Sequence, residues 1–343
     1  MAQQGNTTMV RVGILGATGY TALELIKLLL RHPEVQIVTL TSRQAGNTDI
    51  ASIHPQLTGQ LDLVLENVDA LAVAARVDCL FSCLPHGASA GAIASVLETD
   101  TRVVDFSADY RLLDVETYEH WYATKHPDPD RMADVVYGLP ELYRERIVDA
   151  QLVANPGCYP TSAILAMAPL LKAGIVDPTE IIFDSKSGIS GAGRTPKLTT
   201  HFPECNESVS AYNVGRHRHT PEISQILGHF CGSQVGVLFT PHLVPMDRGI
   251  LTTAYARPAQ TVPEEQVMDV LRTFYENAPF VRVVDHLPAT KDCVGTNFCH
   301  VTARVVGDRI MTISCLDNLI KGASGAAVQN FNLMFGFSES TAL

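Results

Sequence analysis

Seven residues near the start of the chain, Gly13-Ile14-Leu15-Gly16-Ala17-Thr18-Gly19, join an apolar run suited to a strand, Val10 to Leu15, to a periodic run suited to a helix, Tyr20 to Arg31. A strand that feeds a helix through glycines asks for a parallel sheet. The same glycines let the backbone approach a phosphate group, which the helix N-terminus can receive. The spacing is Gly-x-x-Gly-x-x-Gly, looser than the usual Gly-x-Gly-x-x-Gly, so a plain tight turn is the competing reading. The surroundings favour dinucleotide binding. Val35 to Leu40, Val77 to Cys83 and Arg102 to Phe106 read as further strands and Ala88 to Leu97 as a helix, an alternation that predicts βαβ units covered on both faces.

The texture changes after Gln151 to Ala154, a short strand that runs into a helix-like stretch from Ser162 to Leu171. Glu180 to Ser187, Gln234 to Val244, Ile250 to Ala256, Cys299 to Val306 and Ile310 to Cys315 read as strands, with one helix near Pro263 to Glu276, the pattern of an antiparallel-rich α+β domain. At 343 residues the chain exceeds what one core usually holds. The expected architecture is α/β: a Rossmann-type parallel-sheet domain over 1–157, a second α+β domain over 158–317, and a closing helix within 318–343. The small residues from Gly322 to Ala327 would let that helix pack closely against the first domain.

A formal charge of -11 argues against nucleic acid or an anionic membrane as partner. No apolar run is long enough to span a bilayer, and Met1 to Thr8 is polar without the features of a signal peptide, so a cytoplasmic location is expected. The eight cysteines include no Cys-x-x-Cys pair, so neither a metal site nor a disulfide framework is expected.

Asn155-Pro156-Gly157-Cys158-Tyr159-Pro160-Thr161 ends a strand and opens a helix, which puts one sulfur at a helix start. Unpaired first-turn N–H groups and the helix dipole favour a thiolate there, and Cys158 is expected to be a nucleophile. A small buried hydrophobe is the alternative for any free cysteine. The glycine loop and the segment His217-Arg218-His219-Thr220-Pro221-Glu222 weigh against it. Thr220 is expected to cap a helix that starts at Pro221. A histidine held there could take a proton from Cys158 and return one. His219 is preferred to His217 because it abuts the cap, though spacing alone does not separate them.

Gly13, Gly16, Ala17, Thr18, Gly19 and Tyr20 form the expected cofactor cradle. An NAD enzyme would carry an acidic residue at the end of the second strand, where this chain has Thr41-Ser42-Arg43. Ser42 and Arg43 suit a 2′-phosphate and predict NADP, a solvated arginine being the plain alternative. Ser82, Leu84 and Pro85 follow another strand where the nicotinamide should lie. In Ser187-Gly188-Ile189-Ser190-Gly191-Ala192-Gly193-Arg194, Ser187 and Gly188 are assigned to the cofactor, and Ser190, Gly191 and Arg194 to a substrate anion. Arg111 is a second anion ligand, and Arg218 and Arg248 are candidates for a substrate carboxylate, with His217 nearby.

These pieces together resemble the N-acetyl-γ-glutamyl-phosphate reductases, a branch of the semialdehyde dehydrogenase family. The resemblance rests on Gly13 to Gly19, Leu84-Pro85-His86-Gly87, Ala108-Asp109-Tyr110-Arg111, Tyr137-Gly138-Leu139-Pro140-Glu141, Asn155 to Thr161, Ser187 to Arg194, His217 to Glu222, Arg248-Gly249-Ile250 and Asp317 to Gly322, in that order along nearly the whole chain. It implies a homodimer or homotetramer that reduces an acyl phosphate with NADPH in arginine biosynthesis. It further implies that Cys158 is the nucleophile, His219 the acid-base residue, Arg111 a phosphate ligand and Asn318 a neighbour of the cofactor. The second domain would then serve both catalysis and oligomerisation. The nearest rivals are aspartate-semialdehyde dehydrogenase and aminoadipyl-phosphate reductase, and a rival of another class is an NADP-binding sensor. Short-chain reductase chemistry is excluded, since none of the ten tyrosines is followed by lysine four positions on.

Overall fold

The computed structural model describes residues 9–343. Met1 to Thr8, on which the expectation of no signal peptide rested, lies outside the described residues. Among the described residues, no helix is long and apolar enough to cross a membrane.

The first sheet contains β1 (Val10–Leu15), β2 (Val35–Thr41), β3 (Leu65–Glu66), β4 (Cys79–Ser82), β5 (Arg102–Asp105), β6 (Val136–Tyr137) and β7 (Leu152–Ala154), in the order β3-β2-β1-β4-β5-β7-β6. Every pairing in it is parallel. Strands such as β4 are buried at every position because helices cover both faces, which is why they read as unbroken apolar runs. The order reverses between β1 and β4, and ligands of such sheets bind in the crevice at the carboxyl ends of those strands. The glycine loop leaves β1 there, and Leu84-Pro85 leaves β4.

The second sheet contains β8 (Ile181–Gly188), β9 (Ser210–Ala211), β10 (Val237–Val244), β11 (Ile250–Ala256), β12 (Val281–Val283), β13 (Cys299–Val306) and β14 (Arg309–Leu316), in the order β12-β13-β14-β11-β8-β10-β9. It is more mixed than antiparallel-rich patterning implied, for β8 pairs with β10 and β12 with β13 in parallel. Burial alternates along β8 and β11, and the helix Cys158–Lys172 covers the inner face. Pro169 inside that helix leaves the carbonyl of Leu165 without its usual donor, and the Tyr275 hydroxyl takes it up at 2.6 Å. The Ser162 hydroxyl of the same helix meets those of Thr252 and Ser314 at 2.7 and 2.8 Å, so buried polar contacts fix its position over the sheet.

The helix expected over Ala88 to Leu97 is instead a short Ser89–Ile93 helix and a 3-10 turn, Val96–Glu98. Helices Val115–Tyr122 and Pro140–Val148 lack an apolar stripe strong enough to announce them, and sequence reading missed both. The chain closes with a π-type turn, Ile320–Ser324, and the helix Gly325–Met334, whose Ala327, Val328, Phe331 and Met334 join Val12, Leu25 and Phe81 in the first domain's core.

Lys321 in the π-type turn pairs with Glu141 at 2.6 Å, with side chains 0% and 1% exposed. Removing one member strands a charge in a dry interior. Lys321→Met is expected to cost about 3–5 kcal/mol in urea unfolding. Replacing Glu141 by Leu as well should return most of that loss.

Candidate active site

Cys158 is the first residue of its helix, behind an extended Gly157. Asn155, which starts the turn, is gripped on several sides: its side chain donates to the Ala323 carbonyl at 3.0 Å and accepts from Asn330 at 3.1 Å, while its carbonyl accepts from Arg111 Nε at 2.8 Å. Pro160 has no N–H, and the Thr161 N–H bonds back to Gly157. The first-turn donors left beside the sulfur are therefore those of Cys158 and Tyr159, and both lower its pKa.

His219 reaches this turn from the far side. A Cβ built on Gly157 would stand 2.6 Å from His219 Nε2 and 2.9 Å from Arg111 Nη1, so glycine is the residue that lets imidazole and guanidinium converge next to Cys158. Of the two histidines, His219 is the one whose Nε2 meets the turn. His217 sits behind it, its Nδ1 accepting from the His219 N–H at 3.1 Å and its ring edge-on to Tyr159, Tyr212 and Phe239. Thr220 does not cap the helix as expected. The helix begins at His219, no side chain caps it, and the buried Thr220 hydroxyl has no partner among the described residues.

Glu222, one turn into that helix and 1% exposed, holds the arrangement together. Its carboxylate accepts from the Gly157 N–H at 2.9 Å and the Tyr137 hydroxyl at 2.8 Å, and pairs with Arg111 at 3.4 Å. Arg111 also donates to the Phe106 carbonyl at 2.7 Å, so this guanidinium is fixed in place on three sides.

Burial pushes the Cys158 thiol up to about 11, against the opposing pull of the Tyr159 N–H and Arg111. Burial, followed by the charges of His217 and Arg111, pushes His219 well below its ordinary value, and His217 falls to about 4. Burial thus opposes the thiolate that the helix start and Arg111 favour, and it disfavours charge on the imidazole beside it. A neutral imidazole is able to accept a proton.

The crevice suits a dinucleotide. Gly16 has φ +73, and a Cβ there would lie 2.8 Å from the Cys83 carbonyl. No side chain caps the Tyr20–Leu29 helix, which leaves its first-turn N–H groups for a ligand. The carbonyls of Ala17 and Thr18 are held from behind by His54 at 3.0 Å and Arg194 at 3.1 Å, which turns the N–H groups of Thr18 and Gly19 the other way. Arg194, assigned to the substrate from sequence, thus lies on the dinucleotide loop, with its second contact to the Ile53 carbonyl. At the end of β2, Ser42 is buried and accepts from the Ala45 N–H, while Arg43 is exposed.

Ser82 cannot offer its hydroxyl to a ligand. It is 0% exposed and bonds Ser89, which donates to Asp105, a carboxyl that burial raises to about 6. Leu84 does line the loop, its Cδ2 lying 3.3 Å from a Cβ built on Gly16, and Pro85 beside it is exposed. Asn318 ties two further segments together, donating to Ser190 Oγ at 3.0 Å and accepting from the Gly249 N–H at 2.7 Å. Gly188 and Gly191 fit against Asp247 and Ser187, where side chains would collide or crowd. Ser187 donates to the Gly188 carbonyl. Arg248 is drawn into ion pairs with Glu24 at 2.6 Å and Asp317 at 3.6 Å, and Arg218 is exposed over the Tyr122 ring.

The family model of the semialdehyde dehydrogenase NAD-binding domain matches residues 11–150, and that of the semialdehyde dehydrogenase dimerisation domain matches 158–318. Curated relatives named N-acetyl-gamma-glutamyl-phosphate reductase, from Rhodopirellula baltica and Desulforudis audaxviator, are 52% and 49% identical over 98% of this chain and 99% and 98% of their own lengths. The chain belongs to the N-acetyl-γ-glutamyl-phosphate reductase family. It is accordingly an oxidoreductase with the NAD-binding domain of the semialdehyde dehydrogenases. Two solved structures share its fold: aspartate semialdehyde dehydrogenase II of Vibrio cholerae complexed with ASA, and aspartate semialdehyde dehydrogenase with NADP of Candida albicans. Their TM-scores are 0.74 and 0.73 at 18% and 19% identity, over 96% of this chain and 99% of each of theirs.

Within this reductase site, sequence reading missed Glu222, Tyr137 and His54 as working parts. Glu222 and Tyr137 stood inside quoted motifs, but nothing local says that a carboxylate at 222 meets a hydroxyl at 137. The raised thiol pKa gives a direct check. Alkylation of Cys158 in the free enzyme, followed by peptide mass spectrometry, should accelerate about tenfold per pH unit from pH 7 to 9.5, without a plateau near the ordinary thiol value of about 8.5.

Proposed function

We propose that this protein carries out NADPH-dependent reductive dephosphorylation of N-acetyl-γ-glutamyl phosphate to N-acetylglutamate 5-semialdehyde through a thioester on Cys158, as a cytoplasmic step of arginine biosynthesis. The observation that carries the reading is the convergence of His219 Nε2 and Arg111 Nη1 on Gly157, immediately before a cysteine at a helix start.

His219 takes the thiol proton as the sulfur attacks the acyl carbon, and the N–H groups of Cys158 and Tyr159 receive the developing oxyanion. The imidazolium hands that proton to the departing phosphate, whose charge Arg111 offsets, and a thioester remains on Cys158. Gly16 to Tyr20 would hold the dinucleotide, with Arg43 available to its 2′-phosphate, and a reduced dinucleotide bound there would supply the hydride. As the resulting thiohemiacetal collapses, the C–S bond breaks and the sulfur regains a proton from solvent by way of His219. Sulfur suits both halves, being a strong nucleophile and a competent leaving group, whereas an ester on serine would resist hydride.

The relatives' shared name favours the glutamyl substrate over aspartyl or aminoadipyl phosphate. The dimerisation-domain match fits a homodimer or homotetramer formed through the half-exposed face of the second sheet, where Leu251, Tyr255, Met311 and Ile313 lie. The deciding assay is phosphate-dependent NADP reduction with N-acetylglutamate semialdehyde, run beside the aspartyl and aminoadipyl semialdehydes. Higher activity on either of the latter would overturn the substrate assignment.

Cys158→Ser is expected to abolish turnover while leaving the NADPH dissociation constant, read by cofactor fluorescence, unchanged. Loss of both would contradict the separation of cradle and nucleophile. Arg43→Ala should weaken NADPH by about 10–100-fold, the worth of a charge-assisted contact of about 1.5–3 kcal/mol, and leave NADH affinity as it was. An equal effect on both cofactors would remove the 2′-phosphate from the account.

A further inference from the structure

Apart from the Cys158 crevice, the loop between β12 and β13 gathers three side chains with no part in the reaction. His286 follows β12, Asp292 closes the 3-10 turn Thr290–Asp292, and His300 is the second residue of β13. One ligand atom from each lies within 4.8 Å of the others. His286 Nε2 stands 3.7 Å from Asp292 Oδ2, which also accepts from the Ala289 N–H.

His300 is the decisive member. It is 8% exposed, and neither ring nitrogen has a hydrogen-bond partner among the described residues. An imidazole withdrawn from water with both nitrogens empty is costly, and a ligand at one of them relieves that cost.

We propose that His286, Asp292 and His300 form a binding site for a divalent transition ion of the zinc class. Two imidazoles and one carboxylate are the donor set such ions prefer, with water completing a tetrahedron. Bonds of about 2.0–2.2 Å place neighbouring ligand atoms roughly 3.3 Å apart. The cluster has only to tighten, and His286 and Asp292 are exposed. The expectation of no metal site rested on cysteine spacing. These ligands follow no short motif and meet because β12 and β13 run parallel with Arg282 opposite His300.

The ion would act on the cofactor side of the molecule. The turn that carries Asp292 presses on Gly249, whose φ of +107 and lack of Cβ let Thr290 approach, and the same loop anchors to Asp317 through the Gly295 N–H at 2.8 Å. Gly249 in turn donates to Asn318. Closing the three ligands on an ion stiffens the loop that buttresses Asn318.

The test is titration of the EDTA-stripped full-length protein with Zn²⁺ by calorimetry and with Co²⁺ by absorption. The expected result is one equivalent per chain, a tetrahedral Co²⁺ spectrum without a thiolate charge-transfer band, and a rise in melting temperature with Zn²⁺. His286→Ala, an exposed loop position, should weaken Zn²⁺ at least tenfold and cancel the thermal shift, with circular dichroism and the NADPH affinity of the metal-free protein unchanged. His300→Gln should do the same to metal binding. No binding by the wild-type protein, affinity unaltered in His286→Ala, or a thiolate band that moves the ion to the cysteines would each overturn the proposal.

Discussion

The carboxylate of Glu222 is where the two halves of this molecule become one catalytic unit. It accepts from Gly157 at the head of the Cys158 helix and from Tyr137 of β6, and it pairs with Arg111 beyond β5, while sitting itself in the His219 helix. A buried anion of this kind is tolerated only when each partner is present, so the contacts that satisfy it also fix the approach of the Cys158 turn, imidazole and guanidinium. Positioning and charge balance are here a single requirement. Glycine at 157 belongs to that requirement as well, because any side chain would occupy the space where His219 Nε2 and Arg111 Nη1 meet.

The electrostatics follow from the same crowding. Arg111 and the first-turn amides favour charge on sulfur, but burial disfavours it more. The imidazole beside it is kept uncharged by burial and by neighbouring positive charge.

Much of this was legible before any coordinates. The glycine loop, the strand and helix runs around it and the cysteine at a helix start are local signals, written within a dozen residues, and β1, β11 and β13 run as patterned. What escaped depends on contacts between distant segments. Arg194 and Arg248 look alike as free cations, yet across the domain junction the first is spent on the Thr18 and Ile53 carbonyls and the second on Glu24, with Asp317 of its own domain as a further partner. Ser82 sits at a strand end as expected, but its pleat position turns the hydroxyl inward to Ser89. Thr220 lost its cap role because the helix starts two residues sooner, at His219.

Gly322 lies close enough to Cys158 that a Cβ there would stand 2.9 Å from the cysteine's own Cβ. The floor beneath the reacting sulfur is therefore laid by a segment some 160 positions downstream, which Lys321 and Asn330 then lock to Glu141 and Gly138. During synthesis on the ribosome the Cys158 helix emerges long before that floor exists. A nascent or prematurely terminated polypeptide can carry every residue of the chemistry and still be inert, so activity appears only once translation has run nearly to its end.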